Sequence, residues 1–144
     1  MIRMKELIKR TVTEHRDALA KKEYSSVELT RAYLDEILRC EPTVGAFLTL
    51  DAEHALQAAE KSDARRAKGE AIGSLEGIPY ALKDNFCTKG LRTTCASRML
   101  EHFVPPYDAE VVTRLHDAGA ILLGKVNMDE FAMGSSCETS AFVK

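Results

Sequence analysis

A near-continuous apolar run at residues 120–124 constrains the fold of this chain more than any other feature. Such a run is typical of a β-strand whose two faces are both buried. A helix is predicted directly before it, with Asp108 as its N-cap and Gly119 as its C-cap. The residues predicted on the buried side of that helix are Val111, Val112, Leu115 and Ala118.

A second predicted strand ends at Lys83, within residues 77–85 (GIPYALKDN). Because side chains alternate along a strand, Ile78, Tyr80 and Leu82 point one way, while Ala81 and Lys83 point the other. Strand, helix and strand in this order predict a right-handed crossover with parallel pairing. The predicted fold class is therefore α/β, with a mixed sheet flanked by helices.

The spacing around Lys83 leaves two interpretations open. In the first, the small Ala81 lets the amine lie against packed backbone, where it loses solvation and can serve as a neutral base. In the second, Lys83 is an ordinary strand-end lysine that extends into solvent, with Asp84 as a loose partner. The pattern of residues does not choose between them.

Two helices are predicted before the sheet. The first covers about residues 5–22, and the second opens with a capping box formed by Ser25 and Glu28 and stops before Pro42. Together they form a helical hairpin over about residues 5–41, which is either a packing layer or a surface for a partner. The α/β core is expected to start at about residue 45 and to continue to residue 144.

A strand at residues 46–50 and a helix from Asp51 to Gly69 connect this hairpin to the lysine strand. Asp51 is the predicted N-cap of the helix and Gly69 its C-cap. The second half of the helix, residues 61–68, is strongly charged. That half is either a solvated face or a patch that contacts RNA.

Composition excludes several classes of protein. A net charge of -2 gives no general attraction to DNA or to an anionic membrane. No apolar run approaches the roughly 20 residues of a membrane span, and the N-terminus lacks the apolar middle of a signal peptide, so we expect a cytoplasmic protein. The four cysteines and four histidines show no zinc-ligand spacing, so no metal site is predicted.

Two polar segments are candidate walls of a site. Residues 92–97 (RTTCAS) are predicted to be a loop, which either supplies hydroxyls and backbone donors or is a satisfied turn. After residue 124, Asn127 is predicted to cap a short helix that packs Met128, Phe131 and Ala132 inward. Gly134 ends that helix, so residues 134–136 form either a pocket wall or a simple Gly-Ser turn.

These pieces together resemble the amidase signature family. The matching residues include Gly77, Pro79, Lys83, Asp84 and Asn85, followed by KG at 89–90, TTCAS at 93–97, FVPPYDA at 103–109, AGA at 118–120 and NMDEFAMGSS at 127–136. The match is strong over residues 73–142. The last of these segments is similar to that of the glutaminase subunits of tRNA-dependent amidotransferases.

The resemblance implies a serine, a bridging serine and a lysine as the catalytic triad, with Lys83 as the base. It also implies that Met133, Gly134, Ser135 and Ser136 line a glutamine pocket, and that backbone amides bind the oxyanion. Ammonia released from glutamine would pass to the B subunit of the complex, which binds mischarged tRNA and uses ATP and Mg. A small C subunit braces the assembly, and this chain itself needs no cofactor.

Both triad serines of the family are expected in or beyond a GGSSGGS stretch that this sequence does not contain. Ser135 and Ser136 align with an earlier loop and do not replace them. We therefore expect the N-terminal part of a single amidase domain, inactive alone because general-base help needs a nucleophile. The alternatives are a stand-alone amidase acting on small amides and a non-catalytic protein that keeps only a docking surface.

Overall fold

The structure is a computed structural model that describes residues 4–70 and 72–143, with only the backbone described at residues 4 and 5. The first three residues lie outside the described part. The expectation that the N-terminus is not a signal peptide rests partly on them. The elements in chain order are α1 (Met4–Leu7), α2 (Val12–Ala20), α3 (Ser26–Val44), β1 (Phe47–Leu50), α4 (Ala52–Lys68), β2 (Pro79–Lys83), α5 (Glu110–Asp117) and β3 (Ile121–Val126). Two short 3₁₀ turns lie at Arg98–Leu100 and Glu130–Ala132.

Three strands of the described chain form one sheet in the spatial order β1-β3-β2. β1 is antiparallel to β3, with Phe47 opposite Val126 and Leu50 opposite Gly124. β2 and β3 run in the same direction, because Ile121 N donates to Ile78 O at 2.8 Å and, further along both strands, Asp84 N donates to Val126 O at 3.1 Å. The sheet is therefore mixed, and the predicted α/β class is confirmed.

The chain divides into two compact units. The first contains the segments up to Arg39, Asp51–Tyr80 and Leu115–Leu123, and the second contains Cys40–Leu50, Ala81–Arg114 and the segment from Gly124 onward. The core of the first unit is a cluster of buried apolar side chains. Its members are Leu7, Ala18, Leu19, Tyr24, Leu29, Ala32 and Ile78.

The predicted first helix is divided in two in the structure. α1 ends at Leu7 and α2 begins at Val12, because Thr11 forms an N-cap. Thr11 Oγ1 accepts from Glu14 N at 3.3 Å, and Glu14 Oε2 accepts from Thr11 N at 2.7 Å. This capping box satisfies amide donors at a new helix start, so the prediction of one helix over residues 5–22 was wrong.

The second helix begins as predicted but does not stop before Pro42. Ser25 Oγ accepts from Glu28 N at 3.0 Å and Glu28 Oε2 accepts from Ser25 N at 2.8 Å, which confirms the capping box. α3 then continues through Pro42 to Val44 and ends at Gly45, whose φ is +58°. Proline removes only one donor in this last turn, and the left-handed glycine ends the helix instead.

α4 ends as predicted at Gly69, in the left-handed conformation at φ +68°. Asp51 occupies the N-cap position, but its carboxylate accepts from His54 Nδ1 at 2.6 Å and makes no capping bond. Within the charged half of α4, Arg65 pairs with the buried Glu76. Arg66 donates to Glu76 O at 3.1 Å, so two basic side chains of this half stabilise the first unit.

In the second unit β3 extends beyond the predicted apolar run. The strand also includes Lys125 and Val126, which lie beyond the predicted run of residues 120–124. Gly124 allows β1 to approach closely, since a Cβ at that position would lie 2.3 Å from Thr49 O. Arg92 holds the same strand, with Nε donating to Thr49 Oγ1 at 3.2 Å and its guanidinium also donating to Leu48 O.

Two smaller packing predictions were wrong. Val112 of α5 is buried as expected, but Val111 is 38% exposed because the helix buries a narrower face. Met128 is buried, whereas Phe131 and Ala132 are exposed, with φ values of +50° and +62°. These left-handed residues rotate the side chains away from the packed face.

Among the residues described, no helix combines the length and apolar character that crossing a bilayer requires.

Candidate functional site

Lys83 is the last residue of β2, and its side chain is exposed. The predicted alternation is confirmed on either side of it, since Leu82 is buried and Ala81 is exposed. Of the two interpretations of Lys83, the described chain shows the second, an amine that extends into solvent, because Ala81 and Lys83 share the solvent-facing side of the strand. The role of Lys83 as a base stays a prediction.

Asp84 is not a loose partner of Lys83. Its side chain is 0% exposed, and its Oδ1 lies 3.4 Å from the ammonium of Lys125, which is also 0% exposed. Lys125 Nζ donates to Phe86 O at 2.7 Å and to Thr93 Oγ1 at 2.8 Å. The buried lysine therefore ties together the loop after β2 and the 92–97 segment.

Burial and the negative charge of Asp84 have opposite effects on the pKa of Lys125. Burial lowers the pKa of Lys125, because desolvation disfavours the ammonium, and the carboxylate of Asp84 opposes that shift. Asp84 Oδ1 accepts no hydrogen bond within the described part of the chain, so the ammonium is its electrostatic partner. Burial also raises the pKa of the nearby Cys95 thiol, and Asp84 adds to that effect.

The 92–97 segment supplies hydroxyls and backbone donors to the buried pair of Asp84 and Lys125. Asp84 Oδ2 accepts from Thr94 N at 2.8 Å and also from Thr94 Oγ1. Cys95 N donates to Asp84 O at 3.1 Å. Cys95 and Ala96 both have positive φ values, 51° and 54°, so a left-handed turn begins where the segment contacts Asp84.

The predicted pocket wall is a loop organised by Asp129. Its Oδ2 accepts from Ser136 N at 3.0 Å and from Cys137 N at 2.9 Å, and its Oδ1 accepts from Thr139 Oγ1 at 2.8 Å. These hydrogen bonds, led by the one from the Cys137 amide, lower the pKa of Asp129. A Cβ at Gly134 would lie 2.4 Å from Asp129 Cγ, so glycine is required for this close packing.

The loop presents Met133, Gly134, Ser135 and Ser136 on the surface, and Met133 is 80% exposed. Asn127 does not cap the following turn as predicted. Its Oδ1 accepts from Ser140 Oγ at 2.7 Å, and its Nδ2 donates to Val143 O at 3.0 Å. These long-range partners occupy both ends of the amide, and Asp129 takes the N-cap position instead.

The structure connects the two predicted site segments indirectly, through the 92–97 segment. Across the described residues, no hydrogen bond or ion pair joins Lys83 to residues 133–136. The backbone of Cys95 bonds in both directions, since its N–H donates to Asp84 O and its C=O accepts from Phe131 N at 3.0 Å. The 92–97 segment therefore links the loop beside Lys83 to the segment that begins the Asp129 loop.

Lys125 was not predicted from the sequence as part of this site. The one signal available was its alternation with Leu123 beyond Gly124, which places it on the same side of an extended strand as a buried residue. The partners of its ammonium lie more than thirty residues away in sequence. The part of the chain that the structure describes contains no group of three or more acidic, histidine or cysteine side chains suited to hold a metal ion.

Comparisons with known proteins agree with this arrangement. The sequence profile of the Amidase family matches residues 28–144. The chain is 60% identical over 124 residues to the A subunit of the glutamyl-tRNA(Gln) amidotransferase of Thermosynechococcus vestitus, which covers 86% of the chain and 26% of the relative. It is 61% identical over 131 residues to the protein of the same name from Desulfosudis oleivorans, covering 91% of the chain and 27% of the relative.

A solved structure gives the same result for the fold. The native peptide amidase of Stenotrophomonas maltophilia superposes with a TM-score of 0.78 at 37% identity, over 83% of this chain and 25% of that one. The chain thus spans about a quarter of the length of the relatives it matches. With the profile covering most of its residues, this chain belongs to the Amidase family.

Proposed function

We propose that this chain forms the lysine-bearing part of a glutaminase site in a tRNA-dependent amidotransferase. The observation that carries the proposal is the position of Lys83, exposed at the end of β2 and followed directly by the immobilised Asp84. The amine is accessible to a hydroxyl from another segment of the domain, and packing of that segment over it would supply the desolvation that a neutral lysine base needs. The two amidotransferase subunits that are 60% and 61% identical to the chain support the choice of this reaction within the family.

In the proposed mechanism Lys83, in its neutral form, accepts a proton through a bridging serine. The nucleophilic serine then attacks the side-chain carbonyl carbon of glutamine, and backbone amides bind the oxyanion. The protonated Lys83 returns the proton, through the bridging serine, to the leaving nitrogen of the tetrahedral intermediate, and the C–N bond breaks to release ammonia. The remaining acyl-enzyme is hydrolysed by water to glutamate and the free serine. Both serines would come from the part of the domain that includes the GGSSGGS stretch, which is not within these 144 residues.

The exposed loop of Met133, Gly134, Ser135 and Ser136 would form one wall of the glutamine pocket. Its backbone is fixed by Asp129, and Ser135 is exposed and accessible to a polar ligand. This chain would use no cofactor. The ammonia would be consumed on the B subunit, which binds mischarged tRNA(Gln) or tRNA(Asn) and uses ATP and Mg, with a small C subunit completing a cytoplasmic complex.

A chimera tests the proposal. The whole 144-residue chain replaces the corresponding part of the Desulfosudis oleivorans protein, which shares 61% identity with it, and is purified with that organism's partner subunits. The assay follows conversion of Glu-tRNA(Gln) to Gln-tRNA(Gln) with glutamine and ATP. We expect activity within about tenfold of the parent complex.

Two results would contradict the proposed reaction. If the assembled chimera hydrolysed small amides but did not amidate Glu-tRNA(Gln), the chain would belong to a stand-alone amidase. If it bound the partner subunits without hydrolysing glutamine or any small amide, only a docking role would remain.

A further inference from the structure

The buried pair of Lys125 and Asp84 connects separate pieces of backbone around the residue next to Lys83. The ammonium donates to Phe86 O and to Thr93 Oγ1, and the carboxylate accepts from the amide and the hydroxyl of Thr94. None of these groups belongs to the loop of residues 133–136. The pair therefore holds the loop that follows Lys83 and the segment packed against that loop.

Asp84 is held at its backbone as well as at its side chain. Its N–H donates to Val126 O at 3.1 Å, and its C=O accepts from Cys95 N at 3.1 Å. Because Lys83 precedes Asp84 directly, these bonds fix the direction in which the Lys83 side chain leaves the strand. Lys83 is the last residue of β2 and alternates with the buried Leu82, which gives its outward direction, and the bonds of Asp84 hold the backbone immediately after it.

We propose that Lys125 and Asp84 are positioning residues for Lys83, a role that rests on the proposed function of Lys83 as the base. Their contacts hold the strand end and the following loop in one geometry. Proton transfer requires the base to be within hydrogen-bond reach of the hydroxyl it serves. In enzymes generally, a misplacement of a catalytic group by about 1 Å can lower the rate about a hundredfold.

A purely stabilising role makes a different prediction. Buried ion pairs can often be replaced by neutral side chains with little loss of stability, whereas removal of one partner leaves an unpaired buried charge. The double variant Lys125→Met with Asp84→Asn removes both charges and avoids that problem. If the pair only stabilised the fold, a folded double variant would keep its turnover rate.

The experiment measures kcat and KM for glutamine hydrolysis by the chimeric complex. The variants are the Lys125/Asp84 double variant and Lys89→Met, which changes an exposed lysine of the same unit as a matched control. We expect the double variant to lower kcat at least about tenfold, with KM within about threefold and an unchanged fraction of folded complex. We expect the control to leave both constants within about twofold.

Thr93→Val provides a milder variant for the case in which the double variant does not fold. It removes only the hydroxyl that accepts from Lys125 and preserves the shape of the side chain. We expect a several-fold decrease in kcat with unchanged KM. An unchanged kcat in Thr93→Val, or in a folded double variant, would overturn the inference, as would a decrease in kcat that only follows the loss of folded complex.

Lys83→Ala in the same complex separates this inference from the proposed function. Loss of glutamine hydrolysis in Lys83→Ala, together with normal kcat in the double variant, would reject the positioning role alone. Full activity in Lys83→Ala would reject the base assignment, and the positioning role with it.

Discussion

Asp84 follows Lys83 directly in the chain, yet Lys83 is exposed while Asp84 is 0% exposed and faces Lys125 at 3.4 Å. The two lysines near the end of β2, Lys83 and Lys125, therefore lie in different environments. One is accessible, and the other is enclosed with a carboxylate, a carbonyl and a hydroxyl around its ammonium. The proposed base is the accessible lysine, and the enclosed one belongs to the framework that holds it.

The core of the first unit gives a direct stability prediction on α3. Leu29 is 0% exposed within the apolar cluster, so Leu29→Ala is expected to lower the free energy of unfolding by about 2–5 kcal/mol. Leu38 lies on the same helix and is 61% exposed, so Leu38→Ala is expected to change it by less than about 0.5 kcal/mol. Urea unfolding of the 144-residue chain measures both, and equal effects would contradict the packing of α3.

His15 makes the first unit sensitive to acid. Its Nδ1 lies 2.8 Å from Tyr24 Oη and its Nε2 3.2 Å from Tyr33 Oη, and burial lowers the pKa of His15. An unfolded histidine has a pKa of about 6.5. With a lower pKa in the folded state, His15 binds a proton more tightly in the unfolded chain. The contribution of His15 to the free energy of unfolding is therefore fully present above about pH 6.5 and is lost as the pH falls toward the lower folded pKa.

The unfolding midpoint in urea at about pH 7.5 and about pH 5.5, on either side of the unfolded pKa, measures this dependence. We expect a lower midpoint at the acidic pH, and a smaller difference between the two pH values in His15→Gln. His102 is exposed, so His102→Gln is expected to retain the dependence of the unchanged chain. An increase in midpoint on acidification would show that His15 is not held neutral.

The loop around Asp129 is expected to depend on the negative charge of that carboxylate. Asp129→Asn places a donor amide among the amides of Ser136, Cys137 and Thr139, which currently donate to the carboxylate. We expect faster hydrogen exchange at these three amides, measured by NMR on the 144-residue chain. Glu138→Gln changes an exposed neighbour and is expected to leave their exchange within about twofold; equal exchange in the two variants would argue against this organisation.

Local patterns were sufficient to predict several parts of the fold. The alternation around Leu82, the capping box of Ser25 and Glu28, and the left-handed Gly69 all depend on residues close in sequence, and all three are confirmed. The prediction that Pro42 ends α3 failed because the position of a proline within the last turn decides its effect, and Gly45 was available to end the helix.

The environment of the site could not be predicted in the same way. Lys125 directly follows the predicted strand, and the local pattern does not mark it as buried, because lysines are rarely fully buried unless they are paired. Its partners at Asp84, Phe86 and Thr93 come from segments that only the folded chain brings together. The same applies to Asn127, whose amide bonds to Ser140 and Val143 instead of capping the turn that follows it.

Glutamine hydrolysis by the chimeric complex with Lys83→Arg tests the central claim most directly. Arginine keeps the positive charge and the approximate length of the side chain but does not give up its proton, so it cannot act as a base. Lys89→Arg makes the same change at an exposed lysine of the loop that follows β2. We expect Lys83→Arg to lower kcat by at least about 10²-fold, in line with the loss of general-base catalysis, while Lys89→Arg keeps the parent rate. Turnover at the parent rate in Lys83→Arg would contradict the assignment of Lys83 as the base.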